Sequence, residues 1–197
     1  MLSDEERIAL SRRLLDGTLR ALTEFPGPAR TIVVSQSDDV LGQARSLGMI
    51  AMHEPAESSL NDAAALGSRR ALEAGAGSIF IVPADIPLIS AAAIRVAVLS
   101  APKGPGCVIV PDYRGSGTNF LYQSPVRFTK YSFGIDSAEK HAAWARCAGL
   151  EVVFHHGSAL SFDLDSPEDL SKFMGCGQAL APVFPLEVSG RYVAAGL

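Results

Sequence analysis

The sequence lacks clustered positive charge and long apolar runs, and each absence excludes a class of protein. Its 197 residues carry 17 Lys and Arg against 21 Asp and Glu, a net charge of −4. Because phosphate backbones are bound by clustered positive charge, no nucleic-acid partner is expected. No apolar run reaches the about 18 residues of a membrane span. The acidic start, Met-Leu-Ser-Asp-Glu-Glu-Arg, is not typical of a secretory signal, so we expect a cytoplasmic protein without a membrane partner.

Cysteine is also scarce. The three cysteines are Cys107, Cys147 and Cys176, an odd number at wide spacing with no Cys-x-x-Cys pair. Neither a disulfide framework nor a structural zinc site is indicated, and reduced thiols are expected. The four histidines, among them His141, show no ligand spacing with other metal-binding side chains, and we interpret them as surface or packed residues.

What is present is the composition and order of a folded α/β domain. Hydrophobic residues make up 48% of the chain and charged residues 19%. Apolar runs alternate with helical patterns and Gly-rich links, an order typical of a mostly parallel sheet with helices on both faces. We therefore predict a three-layer, Rossmann-like α/β fold. Residues 1–174 are assigned to a single domain and residues 175–197, with weak periodicity, to a C-terminal tail.

Turn and cap residues divide the chain into the predicted elements. The predicted strands cover residues 31–35, 49–53, 78–82, 107–110, 119–122, 151–154 and 159–164. The predicted helices begin at Ser3 or Asp4, cover residues 38–47, 60–74, 90–99 and 137–148, and open a last time at Ser166-Pro167.

The first candidate for chemistry is Asp85, which follows an apolar strand in the order Ile-Phe-Ile-Val-Pro-Ala-Asp-Ile-Pro-Leu. Pro83 and Pro87 restrict the backbone around it. A carboxylate at the carboxyl end of a central strand is well placed to hold Mg²⁺, which prefers oxygen ligands. An ordinary turn or helix-capping Asp is an equally good interpretation of this segment alone.

The second acidic candidate is Asp163, which alternates with Asp165 and two apolar residues in Phe162-Asp163-Leu164-Asp165. In an extended strand the two carboxylates share one face. Burial of two carboxylates is costly unless a cation or donors compensate. Asp165 is as well explained as part of the next helix start, whereas Asp163 lies deeper in the predicted strand.

Three polar junctions complete the candidate site. Asn61 lies at a loop-to-helix junction, where its amide either reads the edge of a base or simply caps the helix. The Gly-rich loop 112–119 supplies donors from Arg114, Ser116 and Thr118 that suit a phosphate or carboxylate, although a plain turn is as consistent. Residues 132–137 precede a helix whose free N–H groups suit an anion, or serve as an ordinary cap.

These segments together resemble one family. The segments, in chain order, are Leu60-Asn61-Asp62-Ala63, Pro83-Ala84-Asp85-Ile86-Pro87-Leu88, Pro111-Asp112 with Gly115-Ser116-Gly117-Thr118-Asn119, Phe133-Gly134 with Ser137 and His141, and Phe162-Asp163-Leu164-Asp165-Ser166-Pro167-Glu168-Asp169-Leu170. This combination resembles the 2-phospho-L-lactate guanylyltransferase family, which acts in synthesis of the deazaflavin coenzyme F420.

The resemblance implies a nucleotidyltransferase fold like that of molybdenum-cofactor guanylyltransferases. It implies transfer of GMP from GTP to a small phospho-acid, either 2-phospho-L-lactate, phosphoenolpyruvate or 3-phospho-D-glycerate, with release of pyrophosphate. It places the catalytic, Mg²⁺-binding acids at Asp85 and Asp163. Acceptor-binding positions fall on Thr118, Gly134 and Ser137, and nucleotide-binding positions on Leu60, Asn61 and Pro83.

One departure from the family pattern concerns the N-terminus. Family members begin with a strand and a loop containing a Lys and an Arg, whereas this chain starts at the following helix. The resemblance then implies a sheet lacking a central strand. The missing strand keeps open a non-catalytic nucleotide-binding or partner protein on the same fold. A molybdenum-cofactor guanylyltransferase-like enzyme of similar fold is a further alternative. The sequence also leaves open whether two copies form a homodimer.

Overall fold

The structure is a computed structural model that describes residues 3–164, 167–175 and 193–196. Its strands are β1 Thr31–Ser35, β2 Ile50–His53, β3 Ile79–Val82, β4 Gly106–Pro111, β5 Thr118–Ser124, β6 Glu151–Phe154 and β7 Val193–Gly196. Its α-helices are α1 Asp4–Glu24, α2 Asp38–Ser46, α3 Leu60–Glu73, α4 Ala91–Leu99, α5 Ser137–Cys147 and α6 Pro167–Gly175. Two short 3₁₀ helices cover Pro28–Arg30 and Ala159–Ser161.

Serine side chains begin three of the helices. Ser3 accepts from the backbone N–H of Glu6, whose side chain accepts from the Ser3 backbone N–H in return. Ser59 forms the same reciprocal cap with Asp62 at α3, and Ser90 caps α4. Each cap satisfies N–H groups that the first helical turn leaves without partners. The helix starts predicted at Ser3 or Asp4 and at residue 90 are therefore confirmed.

The seven strands form one sheet in the order β2-β1-β7-β3-β5-β4-β6. β2 runs parallel to β1 and β6 parallel to β4, while β5 and β7 are antiparallel to their neighbours. Five strands therefore point one way, and only β5 and β7 point the other way. The carboxyl ends of β1, β3 and β4 meet the amino end of β5 at one edge of the sheet. This arrangement confirms the predicted α/β fold with most of the described strands pointing one way. The pairing is mixed rather than mostly parallel, because β7 and β5 lie between strands of the opposite direction, so that two of the six described strand pairs are parallel and four are antiparallel.

Helices cover both faces of the sheet because alternate strand residues point to opposite sides. On one face, Phe80 of β3 packs in a core with apolar residues of α1, α2 and α4. On the other face, Ile81 of the same strand packs with α3 and α5. The central strands are thus buried on both sides, which explains their nearly continuous apolar sequence. In the described part of the chain, no helix is both long and apolar enough to cross a membrane.

The C-terminal segment differs from the expectation. Val193–Gly196 forms β7, which pairs with β1 on one side and with β3 on the other. These four residues therefore belong to the sheet of the domain and lie in its interior, between β1 and β3, although the sequence indicates only a tail there. The sheet is continuous through β7, so the expected gap at a central strand is absent from the described structure.

The predicted strand over residues 159–164 is wrong. Ala159–Ser161 is a 3₁₀ turn, with the Ser158 side chain accepting from the backbone N–H of Leu160. The following residues are irregular, and Leu164 donates one backbone hydrogen bond to the carbonyl of Asp85 at 3.2 Å. One hydrogen bond makes no strand ladder. The predicted partner of Asp163, Asp165, and the predicted cap Ser166 lie outside the described residues.

The structure describes the surroundings of two of the cysteines. Cys107 is a buried free thiol within β4, and burial raises its pKa to about 12. Cys147 is a free thiol exposed at the end of α5. Cys176 lies outside the described residues.

Candidate active site

A cavity of about 430 Å³ opens at the sheet edge where β1, β3 and β4 end and β5 begins. Its walls come from the segments after β3 and β4, the start of β5, the start of α3, the loop before α5 and the segment before α6. The lining residues are Leu60, Ile81, Pro83, Asp85, Asp112, Arg114, Ser116, Gly117, Thr118, Asn119, Phe133, Gly134, Ile135 and Asp163. In doubly wound α/β folds, ligands bind at this edge of the sheet.

Asp85 and Asp163 line the same cavity although they lie far apart in sequence. Asp85 directly follows β3, where Pro83 and Pro87 constrain the turn. The backbone hydrogen bond from Leu164 to the carbonyl of Asp85 holds the two segments side by side. Asp163 is 7% exposed, so its carboxylate is buried at the cavity wall. The structure thus brings together the two acids that the sequence singles out.

This donor set fits a magnesium ion that a nucleotide also helps to bind. Mg²⁺ in nucleotide enzymes is held through one or two carboxylates together with substrate phosphates, rather than by an all-protein cage. Among the described residues, no group of three or more His, Cys, Asp or Glu side chains is arranged to hold a metal ion. Asp85 and Asp163 supply the two carboxylates that a site of this nucleotide-assisted kind requires.

Thr118, Ser137 and His141 form a hydrogen-bonded chain that begins at the cavity. The Ser137 hydroxyl donates to Thr118 Oγ1 at 3.0 Å, and His141 Nδ1 lies 3.1 Å from the same oxygen. His141 Nε2 accepts from the backbone N–H of Ser132 at 3.0 Å. Only Thr118 of these residues lines the cavity, whereas Ser137 and His141 are 0% exposed. Ser137 therefore stands behind Thr118 rather than beside it.

The loop before α5 carries Gly134 to the cavity. Gly134 has φ +118°, a value that L side chains rarely adopt. Asn61 fixes this loop, because its side-chain carbonyl accepts from the backbone N–H of Phe133 at 2.6 Å. The Asn61 oxygen therefore already accepts a hydrogen bond from the loop, and Asn61 is not part of the cavity lining. Its two neighbours in the predicted nucleotide set, Leu60 and Pro83, do line the cavity.

The loop between β4 and β5 supplies a basic group. Arg114 lines the cavity, and its guanidinium donates to Asp169 Oδ1 at 2.7 Å. This bond to Asp169 is the main cause of a raised Arg114 pKa. The same Asp169 oxygen accepts from the Tyr113 hydroxyl at 2.6 Å. Asp169 is completely buried in the first turn of α6, so this helix anchors the loop to the domain.

Sequence reasoning missed two contributors, Asp169 and His141. From the residues alone, the sequence indicates for Asp169 only a helix start and for His141 only a surface or packed side chain. In the structure both side chains are 0% exposed, and a buried acid or histidine needs polar partners. The sequence carries no signal of this burial, because each residue is a single polar side chain within a helical pattern.

Comparisons with known proteins show the family to which the chain is related. The sequence model of the family described as "Guanylyl transferase CofC like" matches residues 1–181. A phosphoenolpyruvate guanylyltransferase of Rubrobacter xylanophilus is 40% identical over 87% of this chain and 82% of that protein. A 2-phospho-L-lactate guanylyltransferase of Methanobrevibacter smithii is 29% identical over 90% of this chain and 76% of that protein.

A solved structure shares the fold. It is a protein classed as a nucleotide-diphospho-sugar transferase from Desulfovibrio desulfuricans, which superposes with a TM-score of 0.67. The superposition covers 87% of this chain and 76% of that chain. Because the sequence identity is 15%, the similarity supports the fold alone. With the family match over nearly the whole chain and the site at the expected sheet edge, the chain belongs to the CofC-like guanylyl transferases, a family of nucleotidyltransferases.

Proposed function

We propose that this protein transfers GMP from GTP to the phosphate of a small phospho-acid and releases pyrophosphate. The observation that carries the proposal is the meeting of Asp85, Asp163 and Thr118 in one cavity. The relatives named above act on phosphoenolpyruvate or 2-phospho-L-lactate, and 3-phospho-D-glycerate belongs to the same chemical class. We further propose that the reaction serves coenzyme F420 biosynthesis in the cytoplasm.

Attack on the α-phosphorus of GTP needs alignment and charge neutralisation more than a covalent nucleophile. Asp85 and Asp163 would hold Mg²⁺, which neutralises charge that develops on the phosphate oxygens. The guanidinium of Arg114, fixed by Asp169, adds a positive charge on the cavity wall. The acceptor phosphate is already an anionic nucleophile, so the site needs no strong general base.

A second part of the cavity wall suits the acceptor acid. Thr118 and Gly134 are both among its lining residues. A glycine at this position lets an acceptor oxygen approach the backbone closely. Hydroxyl and backbone donors of this kind orient carboxylate and phosphate oxygens without adding charge. The acceptor phosphate would then point towards the nucleotide between Asp85 and Asp163.

The test is an assay of pyrophosphate release with GTP, Mg²⁺ and each of the three phospho-acids in turn. Asp85→Asn and Asp163→Asn should each lower kcat/KM at least about 100-fold, the loss typical for removal of a charge-stabilising group. Asp39→Asn is the matched control, because Asp39 is an exposed acid in the first turn of α2. Full activity in Asp85→Asn would remove the proposed mechanism. GTP binding without turnover of any phospho-acid would instead favour a non-catalytic binding protein.

A further inference from the structure

His141 is a buried, neutral group whose two ring nitrogens both have partners. Its side chain is 0% exposed, and the rings of Phe133, Trp144 and Tyr131 lie with centroids 4.8, 5.9 and 6.2 Å away. This apolar surrounding lowers the pKa of His141 to about 4, chiefly through desolvation, with a smaller contribution from the charge of Lys140. The ring is therefore uncharged near neutral pH and carries one proton.

The hydrogen bond to Ser132 decides which nitrogen holds that proton. The backbone N–H of Ser132 donates to Nε2 at 3.0 Å, so Nε2 supplies a lone pair and carries no hydrogen. In a neutral imidazole the other nitrogen is then protonated. Nδ1–H accordingly donates to Thr118 Oγ1 at 3.1 Å.

Thr118 Oγ1 thus accepts two hydrogen bonds, one from His141 Nδ1–H and one from the Ser137 hydroxyl. A hydroxyl oxygen has two acceptor positions and one hydrogen. With both acceptor positions taken inside the protein, only the Thr118 hydrogen remains for a further partner, and Thr118 is one of the residues that line the cavity. Towards a ligand in that cavity, the Thr118 hydroxyl can therefore act as a donor but not as an acceptor.

We propose that His141 is a positioning residue that fixes the Thr118 hydroxyl as a donor into the cavity, so that the site selects an acceptor presenting an anionic oxygen at this point. The identity of that oxygen as part of a phospho-acid rests on the proposed function. The proton arrangement itself stands on the contacts of Thr118, Ser132, Ser137 and His141. It is therefore testable whether or not the protein turns over GTP.

The first experiment measures the tautomer directly. In ¹⁵N-labelled protein, the His141 ring should show a protonated Nδ1 and an unprotonated Nε2, and it should remain neutral down to about pH 5. The exposed ring of His156 serves as an internal control that is not enclosed. A proton on Nε2, or titration of His141 near the ordinary histidine value, would overturn the proposal even in an inactive protein.

The second experiment separates the two hydrogen bonds of the ring. In His141→Asn, the amide nitrogen reaches the position of Nδ1 and keeps the donor to Thr118. In His141→Gln, the amide oxygen reaches the position of Nε2, which keeps the acceptor for Ser132 and loses that donor. We expect His141→Gln to raise the KM for the phospho-acid about 10- to 100-fold, the effect of losing one hydrogen bond to a charged group. The KM for GTP should stay within about twofold.

His141→Asn should retain a KM for the phospho-acid near that of the wild type, because it keeps the donor to Thr118. If His141 had only a structural role, the Asn variant would not restore this KM. In a Thr118→Val background, His141→Gln should add nothing to the acceptor KM, because the hydroxyl it orients is already absent. Equal effects of the Asn and Gln variants, or equal rises in both KM values, would refute the positioning role. If the wild type turns over no phospho-acid, the proposed function fails, and the ring measurement alone decides the proton arrangement.

Discussion

Asp163 reaches the cavity from a backbone that forms no strand. The alternation of acidic and apolar residues predicts that its carboxylate points away from Phe162 and Leu164. The structure achieves this through one backbone hydrogen bond from Leu164 to Asp85 after a 3₁₀ turn. Alternation needs only a locally extended chain, whereas a strand needs a neighbour with free backbone groups. The sequence therefore singles out Asp163, which the structure places on the cavity wall, but it does not indicate the element that holds this residue.

His141 should make the stability of the protein depend on pH. Its folded-state pKa of about 4 lies below its ordinary value of 6.5, so the unfolded chain binds the proton first as pH falls. The contribution of the neutral ring to the free energy of unfolding is fully present above about pH 6.5 and is lost towards pH 4, at a total of about 3 kcal/mol. Urea unfolding of the wild type and of His141→Gln at several pH values would measure this contribution. The effects of the other titrating groups cancel when the free energies of unfolding of the two proteins are subtracted at each pH. A difference that stays constant between about pH 7 and 4.5 would contradict it.

Asp169 should contribute to stability through Tyr113 and Arg114. Asp169→Asn removes the charge that accepts from the Tyr113 hydroxyl and from a guanidinium that is 46% exposed. Because the arginine is partly solvated, we expect a moderate loss of about 1–3 kcal/mol in the free energy of unfolding. Glu168→Gln is the control, since Glu168 is the exposed acid next to it in α6. Equal losses in the two variants, measured by urea unfolding, would show that the buried contacts contribute nothing.

At the scale of elements, the sequence predicts most of the fold because caps and burial act locally. β1 and β3 are fully buried strands, and their apolar runs show this directly. Helix starts at Ser3 and Ser90 follow from hydrogen bonds within one turn. The failures come from elements whose position depends on distant residues. Asn61 is one example, because its bond to the Phe133 backbone joins segments 72 residues apart.

Two glycines in different elements should respond oppositely to alanine. Gly134 has φ +118° in the loop before α5, so a Cβ there strains the backbone. We expect Gly134→Ala to lower the free energy of unfolding by about 1–2 kcal/mol and to raise the KM for the phospho-acid. Gly17 lies inside α1 with no atom within 4 Å of an added Cβ. Gly17→Ala should therefore stabilise the protein by up to about 1 kcal/mol, because alanine favours the helix.

Urea unfolding of both variants, with initial rates for Gly134→Ala, checks this pair. The comparison separates backbone strain from side-chain size, since the same methyl group is added at each position. A Gly134→Ala protein as stable as Gly17→Ala would show that the loop adapts by adopting another backbone conformation. Its acceptor KM would then be expected to remain near that of the wild type.

At the scale of the whole molecule, the centre of the sheet depends on the end of the chain. β7 reads Val-Ala-Ala-Gly, and alanine and glycine have low strand propensity, so no local signal predicts it. Its place between β1 and β3 is set by backbone groups on both neighbours, from segments more than 100 residues away. The cavity lies at the edge of this same sheet, where β1 and β3 end. The alignment of Asp85 with the rest of the site therefore depends on a strand that sequence patterns do not show.

Deletion of residues 190–197 should test this dependence. Without β7, the facing edges of β1 and β3 lose their hydrogen-bond partners in the middle of the sheet, and exposed strand edges promote aggregation. We expect the deleted protein to lose cooperative thermal unfolding and to aggregate. A synthetic peptide covering residues 190–197 should restore both stability and solubility, since strand pairing is made by the backbone.

Ala195→Pro is the matched point variant, because it removes one backbone N–H from the ladder and should destabilise by about 3 kcal/mol or more. An unchanged unfolding temperature after the deletion would mean that β1 and β3 hold the site without this strand.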